Sequence, residues 1–208
     1  MNAMNTISQA WRRRAAGIDT RAVLAGVERD GQLTPGFFLL IATSAAVATL
    51  GLLLNSPAVV IGSMLLAPLL GPILRFGFAL PRGDGSSILR GLGTTTAGVT
   101  SALAVSALVV GLSPATAPTA EILARTQPSA MDLSVALFAG LAGSYAVIRG
   151  LSGAFAGFAI ATALMPPLAT VGFGLARGDA AIALGASQLF LINFAVIEIG
   201  RASCRERV

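Results

Sequence analysis

Over its 208 residues the chain is 55% hydrophobic and only 11% charged, and its mean hydropathy is +0.81. A soluble domain carries about 25% charged residues, so this composition excludes one and specifies an integral membrane protein. The chain has no His and a single Cys, and its formal charge of +5 comes entirely from Arg, with no Lys. The commonest general base and the commonest metal ligand are therefore missing, and no cofactor or metal site is expected.

Residues Met1–Thr34 are polar and Arg-rich. Within them Ile18–Val27, preceded by Arg12, Arg13 and Arg14, reads either as a short amphipathic helix on the membrane surface or as a solvated tail. No apolar core followed by a small-residue cleavage site precedes Thr34, so no cleavable signal peptide is expected. Thr34-Pro35 then predicts a helix start, with Thr as N-cap and Pro at the first helical position. Six apolar runs follow, at about Pro35–Leu54, Pro57–Leu80, Leu92–Leu112, Met131–Val147, Leu151–Ala176 and Ala180–Ile197. Most are near the ~20 residues that a bilayer requires. The third and fourth are separated by a loop carrying Pro114, Pro118 and Pro128, and Ser129 with Asp132 predicts a capping box for the fourth. The last residues, Ile199–Val208 (IGRASCRERV), read as a translated sequencing adapter. Residues 198–208 are accordingly expected to be non-native and are set aside from the fold. The transmembrane domain is expected over 35–197, with halves of about 35–112 and 131–197.

One segment occurs twice. Leu69–Asp84 (LLGPILRFGFALPRGD) and Leu164–Asp179 (LMPPLATVGFGLARGD) share Leu, Pro, Gly-Phe, Leu and a terminal Arg-Gly-Asp in register. Each copy is a proline-interrupted apolar helix with the same polar ending. Interrupted helices at matching places in two halves point to a transporter-like binding site. Arginine placement sets the orientation. With a cytoplasmic N-terminus, Arg12, Arg13, Arg14, Arg21, Arg29, Arg82, Arg90 and Arg149 lie inside, and Arg125 and Arg177 outside. Each half holds three spans, an odd number, so the halves must be inverted relative to one another. The expected fold is therefore all-α: a polytopic membrane helix bundle of about six transmembrane helices, built as two inverted three-helix repeats with proline-broken second and fifth helices. The expected location is the cell (cytoplasmic) membrane of a bacterium, and the lipid bilayer is the expected partner.

Asn55–Ile73, NSPAVVIGSMLLAPLLGPI, closely resembles the signature of the domain of unknown function 389 family, uncharacterised hydrophobic-domain membrane proteins of bacteria and archaea. Thr49–Leu54 leads into it in the family manner. Ala159–Leu175, AIATALMPPLATVGFGL, is similar to the family's second signature, and Leu191–Phe194, with Asn193, fits its later polar span. The resemblance covers roughly Pro35–Ile197. It implies a multi-span membrane domain and brings no established activity, substrate or catalytic residue. Members often carry more sequence at one end, which would fit a native chain that continues beyond Ile197.

The residues themselves suggest where chemistry could lie. Proline cannot donate a backbone hydrogen bond and clashes with the preceding turn. Pro68 frees the carbonyl of Met64, and Pro72 that of Pro68. Pro166 and Pro167 free those of Thr162 and Ala163. Near the middle of a span such carbonyls must be satisfied by protein, water or an ion. Brought together they could form a cation or small-solute site, or the prolines could simply kink helices for packing. Asn55-Ser56 and Ser152 precede the second and fifth runs, where they could cap helices or gate access. Arg75 is the one charge well inside an apolar run; it either faces the bundle interior as a functional group or snorkels to the surface. Thr94, Thr95, Thr96, Thr100, Ser101, Ser187, Gln188 and Asn193 read as interhelical hydrogen-bond glue, with Asn193 singled out as a path residue. Gly153 and Gly157 imply close helix packing, which allows a homo-oligomer.

These features favour a transporter or channel-like permease for an ion or small solute. The alternative is a membrane sensor or scaffold anchoring a partner or soluble domain. An enzyme is not expected, because the usual catalytic sets are missing. Nor is a nucleic-acid partner, since the basic excess has a membrane explanation.

Overall fold

In a computed structural model, the described residues are Glu28 and residues 31–80, 83–148 and 153–205. Among them the fold is all-α, with eight helices and no strand. These are α1 (Pro35–Leu53), α2 (Pro57–Met64), α3 (Leu70–Ala79), α4 (Gly85–Leu112), α5 (Ala120–Leu123), α6 (Ala130–Ile148), α7 (Gly153–Arg177) and α8 (Ala180–Arg205). Of the described helices, α1, α4 and α8 are each long and apolar enough to cross a bilayer. The surface helix considered at Ile18–Val27 lies outside the described residues, as do Ser152, Arg82 and Arg149. Helix α8 continues past Ile197 to Arg205.

Local sequence explains the helix ends. Thr34 caps α1 as expected, its Oγ1 accepting from the Phe37 N–H at 3.1 Å, with Pro35 in the first turn. The box at Ser129 and Asp132 also forms: Asp132 Oδ2 accepts from the Ser129 N–H at 2.9 Å, and Ser129 Oγ accepts from the Asp132 N–H at 3.2 Å. The third run starts earlier than hydropathy implies, at Gly85, because Asp84 supplies the N-cap.

Both Arg-Gly-Asp endings fold into one device. Gly83 and Gly178 adopt φ of 65° and 68°, a left-handed conformation that only Gly enters without a Cβ clash. The Asp84 N–H then reaches back to the Ala79 carbonyl at 3.4 Å, and the Asp179 N–H to that of Gly174 at 2.8 Å. With Gly83 bonded to Leu80 and Gly178 to Leu175, each at 3.3 Å, these are two Schellman caps. Each Asp turns next to the following helix, Asp84 Oδ1 accepting from Ser87 N–H and Asp179 Oδ1 from Ile182 N–H. The shared residues thus close one helix and open the next within two positions.

The Ser87 hydroxyl and N–H, with the Ser86 hydroxyl, lower the Asp84 carboxyl from 3.8 to about 2. A depressed carboxyl stabilises the fold above its unfolded value and loses that contribution as pH falls through its folded value. The first turn of α4 should therefore stay closed above pH 3.8 and open as pH approaches 2. Amide exchange at Ser87 measures this. Protection unchanged down to pH 2 would contradict the cap.

The two proline-bearing segments differ, and here one expectation is corrected. The second run is broken. Ahead of Pro68 the Leu65, Leu66 and Ala67 N–H groups tighten onto carbonyls three residues back, at 3.1 to 3.3 Å, and the helix stops. Its pieces have 8 and 10 residues, about 12 and 15 Å at 1.5 Å per residue, so neither crosses a bilayer alone. From α1, Ser44 Oγ donates to the Ser63 carbonyl at 2.7 Å and steadies the break. Pro72 lies in the first turn of α3, where a missing N–H costs nothing, so it starts a helix rather than breaking one. The fifth run is not broken: α7 runs unbroken through Pro166 and Pro167. One freed acceptor, the Ala163 carbonyl, is met by a side chain instead, as described below.

Helix α7 forms the centre, packing on α1, α2, α3, α4, α6 and α8. From Ala163 to Gly174 every residue is buried, as befits a helix apolar all round. The outer surface is leucine-rich, with Leu54, Leu89, Leu108, Leu112, Leu184 and Leu191 exposed, while Ser44, Thr49, Ser63, Ser106, Thr170 and Asn193 are buried. Polar groups inside and large apolar groups outside suit a lipid solvent.

Candidate functional site

Pro167 has no N–H to offer the Ala163 carbonyl, four residues earlier. The neighbouring α8 supplies the missing donor: Asn193 Nδ2 donates to the Ala163 carbonyl at 2.9 Å. One turn further on, Thr170 Oγ1 donates to the Pro166 carbonyl at 3.0 Å. The Asn193 bond replaces the one that Pro167 removes, and α7 stays continuous where α2 and α3 separate. It couples Asn193 to the gap left by Pro167, two of the residues singled out from the sequence.

The bond to Ala163 fixes the Asn193 amide and leaves Oδ1 as a second, unused acceptor. Asn193 is 4% exposed, and Oδ1 has no hydrogen-bond partner among the described residues. A buried polar atom without a partner costs free energy and calls for an explanation. Here it accompanies a cavity of about 280 Å³ lined by Asn193, Ala163, Pro166, Pro167 and Leu189. Met64 at the end of α2 completes the inner wall. Its carbonyl, freed by Pro68, is taken by the Ala67 N–H at 3.3 Å. The same cavity is lined by Glu121 and Arg125 from the segment between α4 and α6, and by Asp132 in the first turn of α6. Glu121 pairs with Arg125 at 2.8 Å, and Asp132 is held by Ser129. The cavity thus carries engaged carboxylates and a cation, with one free amide oxygen in the helical core.

The remaining sequence candidates are distributed elsewhere. Asn55 ends α1 with a φ of 52°, and its Oδ1 accepts from the Glu121 N–H at 3.1 Å, tying the connecting segment to the α1–α2 turn. Asn55 follows Leu54, the C-cap of α1, and its side chain accepts from the first turn of α5. Ser56 occupies the N-cap position of α2 without a capping side-chain bond. Neither lines the cavity, nor do Pro68 and Pro72. Thr162 belongs to α7, but its side chain lies outside the described residues. Arg75 is 9% exposed, bonded through Nη1 to the Gly31 carbonyl at 3.4 Å, and faces a second cavity with Arg90 and Thr94.

Glu121, Arg125 and Asp132 escaped the sequence reading as lining residues. The four-residue spacing of Glu121 and Arg125 was a usable sign of a helical turn with an ion pair. Nothing local could have shown that this turn meets Asn193. Among the described residues no group of three His, Cys, Asp or Glu side chains gathers to hold a metal.

Residues 64–199 match the family described as Domain of unknown function (DUF389). An uncharacterised protein of Methanocaldococcus jannaschii is 30% identical over 161 residues, covering 77% of this chain and 50% of that protein. The chain thus spans about half the length of this relative. No solved structure matches it. The two signatures seen in the sequence surround the α2–α3 break and the Asn193-braced α7, and the family match extends over both. This chain belongs to the domain of unknown function 389 family.

Proposed function

We propose that the protein is a transporter or channel-like permease for an ion or small solute, and that it has no enzymatic activity. The carrying observation is the unpartnered, buried Asn193 Oδ1 beside a proline-interrupted helix, in a cavity that also touches a charged connecting segment. In this reading α1, α2 with α3, and α4 form three spans. Helices α6, α7 and α8 form three more, inverted, with the N-terminus cytoplasmic in the cell membrane. The matched Schellman caps and the likeness in packing support it: in each half the first segment packs on the second and third, and the second on the third. A free amide oxygen and backbone carbonyls suit a cation or a hydrogen-bond donor. The lipid bilayer is the partner; a homo-oligomer is compatible with this reading, and no nucleic acid is involved.

The test is solute-induced charge movement in liposomes across ions, amino acids and organic acids, with tracer uptake for electroneutral cases. We expect a saturable signal that Asn193→Ala abolishes. Folded protein silent in both assays would refute transport. The alternative, a membrane sensor or scaffold, draws on the relative's greater length. It predicts a pull-down partner that depends on residues 1–34.

A further inference from the structure

The second cavity carries a different signature. About 480 Å³ in volume, it is lined by Gly31, Gln32, Leu33, Arg75, Arg90, Gly93 and Thr94. Among the described residues that line it two are arginines and none is acidic. Arg75 is nine-tenths buried, yet among the described residues its guanidinium makes one bond, the 3.4 Å contact from Nη1 to the Gly31 carbonyl. Its Nε has no partner among them. The guanidinium carries five donors in a planar fork. An unpaired buried cation is among the costliest features a fold can hold.

Comparison with Arg177 sharpens the point. Arg177 is also partly buried with a free Nε, but its Nη2 donates to the carbonyls of Val110, Ser113 and Ala115 at the end of α4. That arginine is a cap for a helix C-terminus. Arg75 has no such set of carbonyls. The wall opposite it is held in place by Thr94, whose Oγ1 donates to the carbonyls of Gly31 at 3.3 Å and Arg90 at 3.0 Å. Arg90, exposed at the rim, makes no ion pair among the described residues. Exposed Leu33, Leu89 and Leu92 neighbour these residues in sequence.

We propose that Arg75 and Arg90 bind a phosphate-type oxyanion in this cavity. The buried fork supplies paired donors to the oxygens, and the rim arginine adds a second charge. The anion is either free phosphate or the phosphate of a lipid headgroup, since exposed leucines flank the rim. This site is separate from the Asn193 cavity and stands whether or not the protein transports anything.

Purified protein is tested with two probes. One is retention of phosphatidylglycerol against phosphatidylcholine after partial delipidation, read by native mass spectrometry. The other is thermal stabilisation by inorganic phosphate against chloride at equal ionic strength. Wild type should respond to at least one probe. Arg90→Gln should bind about tenfold more weakly, the loss expected for one charge-assisted hydrogen bond, and Arg75→Gln more weakly still. Because Arg90 is exposed, its variant keeps the test decisive if Arg75→Gln fails to fold. Lipid retention without a phosphate response assigns the headgroup, and a phosphate response alone assigns the soluble anion. No response to either probe, or unchanged binding in Arg90→Gln, overturns the proposal.

Discussion

Asn193→Ala should destabilise the α7–α8 pair and abolish transport, and adding Pro167→Ala should restore the first without the second. The single change removes the donor to the Ala163 carbonyl and leaves that buried acceptor unpaired. In soluble proteins such an orphan costs about 1–3 kcal/mol. Interhelical hydrogen bonds in membranes average nearer ~0.6 kcal/mol, because the chain unfolded in lipid also finds partners. A loss of about 1–2 kcal/mol is therefore expected for this buried pair. Alanine at 167 returns the backbone N–H that proline lacks, and the ordinary helical bond then satisfies Ala163. Thermal unfolding in detergent should place the double variant near wild type. Flux should stay lost, since Oδ1 is still missing. A double variant as unstable as the single one would show that Asn193 does not compensate for the proline. Recovered flux would show that Asn193 serves only to brace α7.

Gly172→Ala should be strongly destabilising despite its small size. A Cβ at 172 would lie 2.4 Å from Ser106 Cβ, 3.2 Å from the Ala107 nitrogen and 3.3 Å from the Leu103 oxygen. Two of these neighbours are backbone atoms of α4, so the helices must part rather than repack. Overpacking of this kind costs about 1–3 kcal/mol, and rigid neighbours favour the upper end. Ser106→Gly removes the nearest atom and should recover part of the loss. Gly62→Ala is the contrast: nothing lies within 4 Å of its new Cβ, and it is on an exposed face. It should be neutral or gain up to about 1 kcal/mol from helix propensity. Equal stability of the Gly172 and Gly62 variants would mean that α4 and α7 are not in such close contact.

The sequence by itself determined the membrane class, the family and most helix ends. Those features are local: the composition has no soluble counterpart, Thr34 and the Ser129–Asp132 box can only act on the next turn, and Gly-Asp can serve both copies of the repeat without any distant contact. It also located the freed carbonyls, because proline always removes the same bond. Tertiary structure decided what became of them. Helix α7 stays whole through Pro166 and Pro167, and Asn193 meets the Ala163 carbonyl that Pro167 frees. That donor comes from a separate helix, 30 residues on. Pro68 ends α2 because the chain ahead of it tightens into turns, braced by Ser44 from α1. The same residue type therefore breaks one helix and only interrupts the bonding of another. The difference lies in donors brought in by packing, which no local pattern encodes. The two cavities follow the same rule. Arg75 meets the Gly31 carbonyl only when α3 and the segment ahead of α1 are brought together, and the connecting turn at Glu121 and Arg125 lines the Asn193 cavity only once α5, α6, α7 and α8 have assembled.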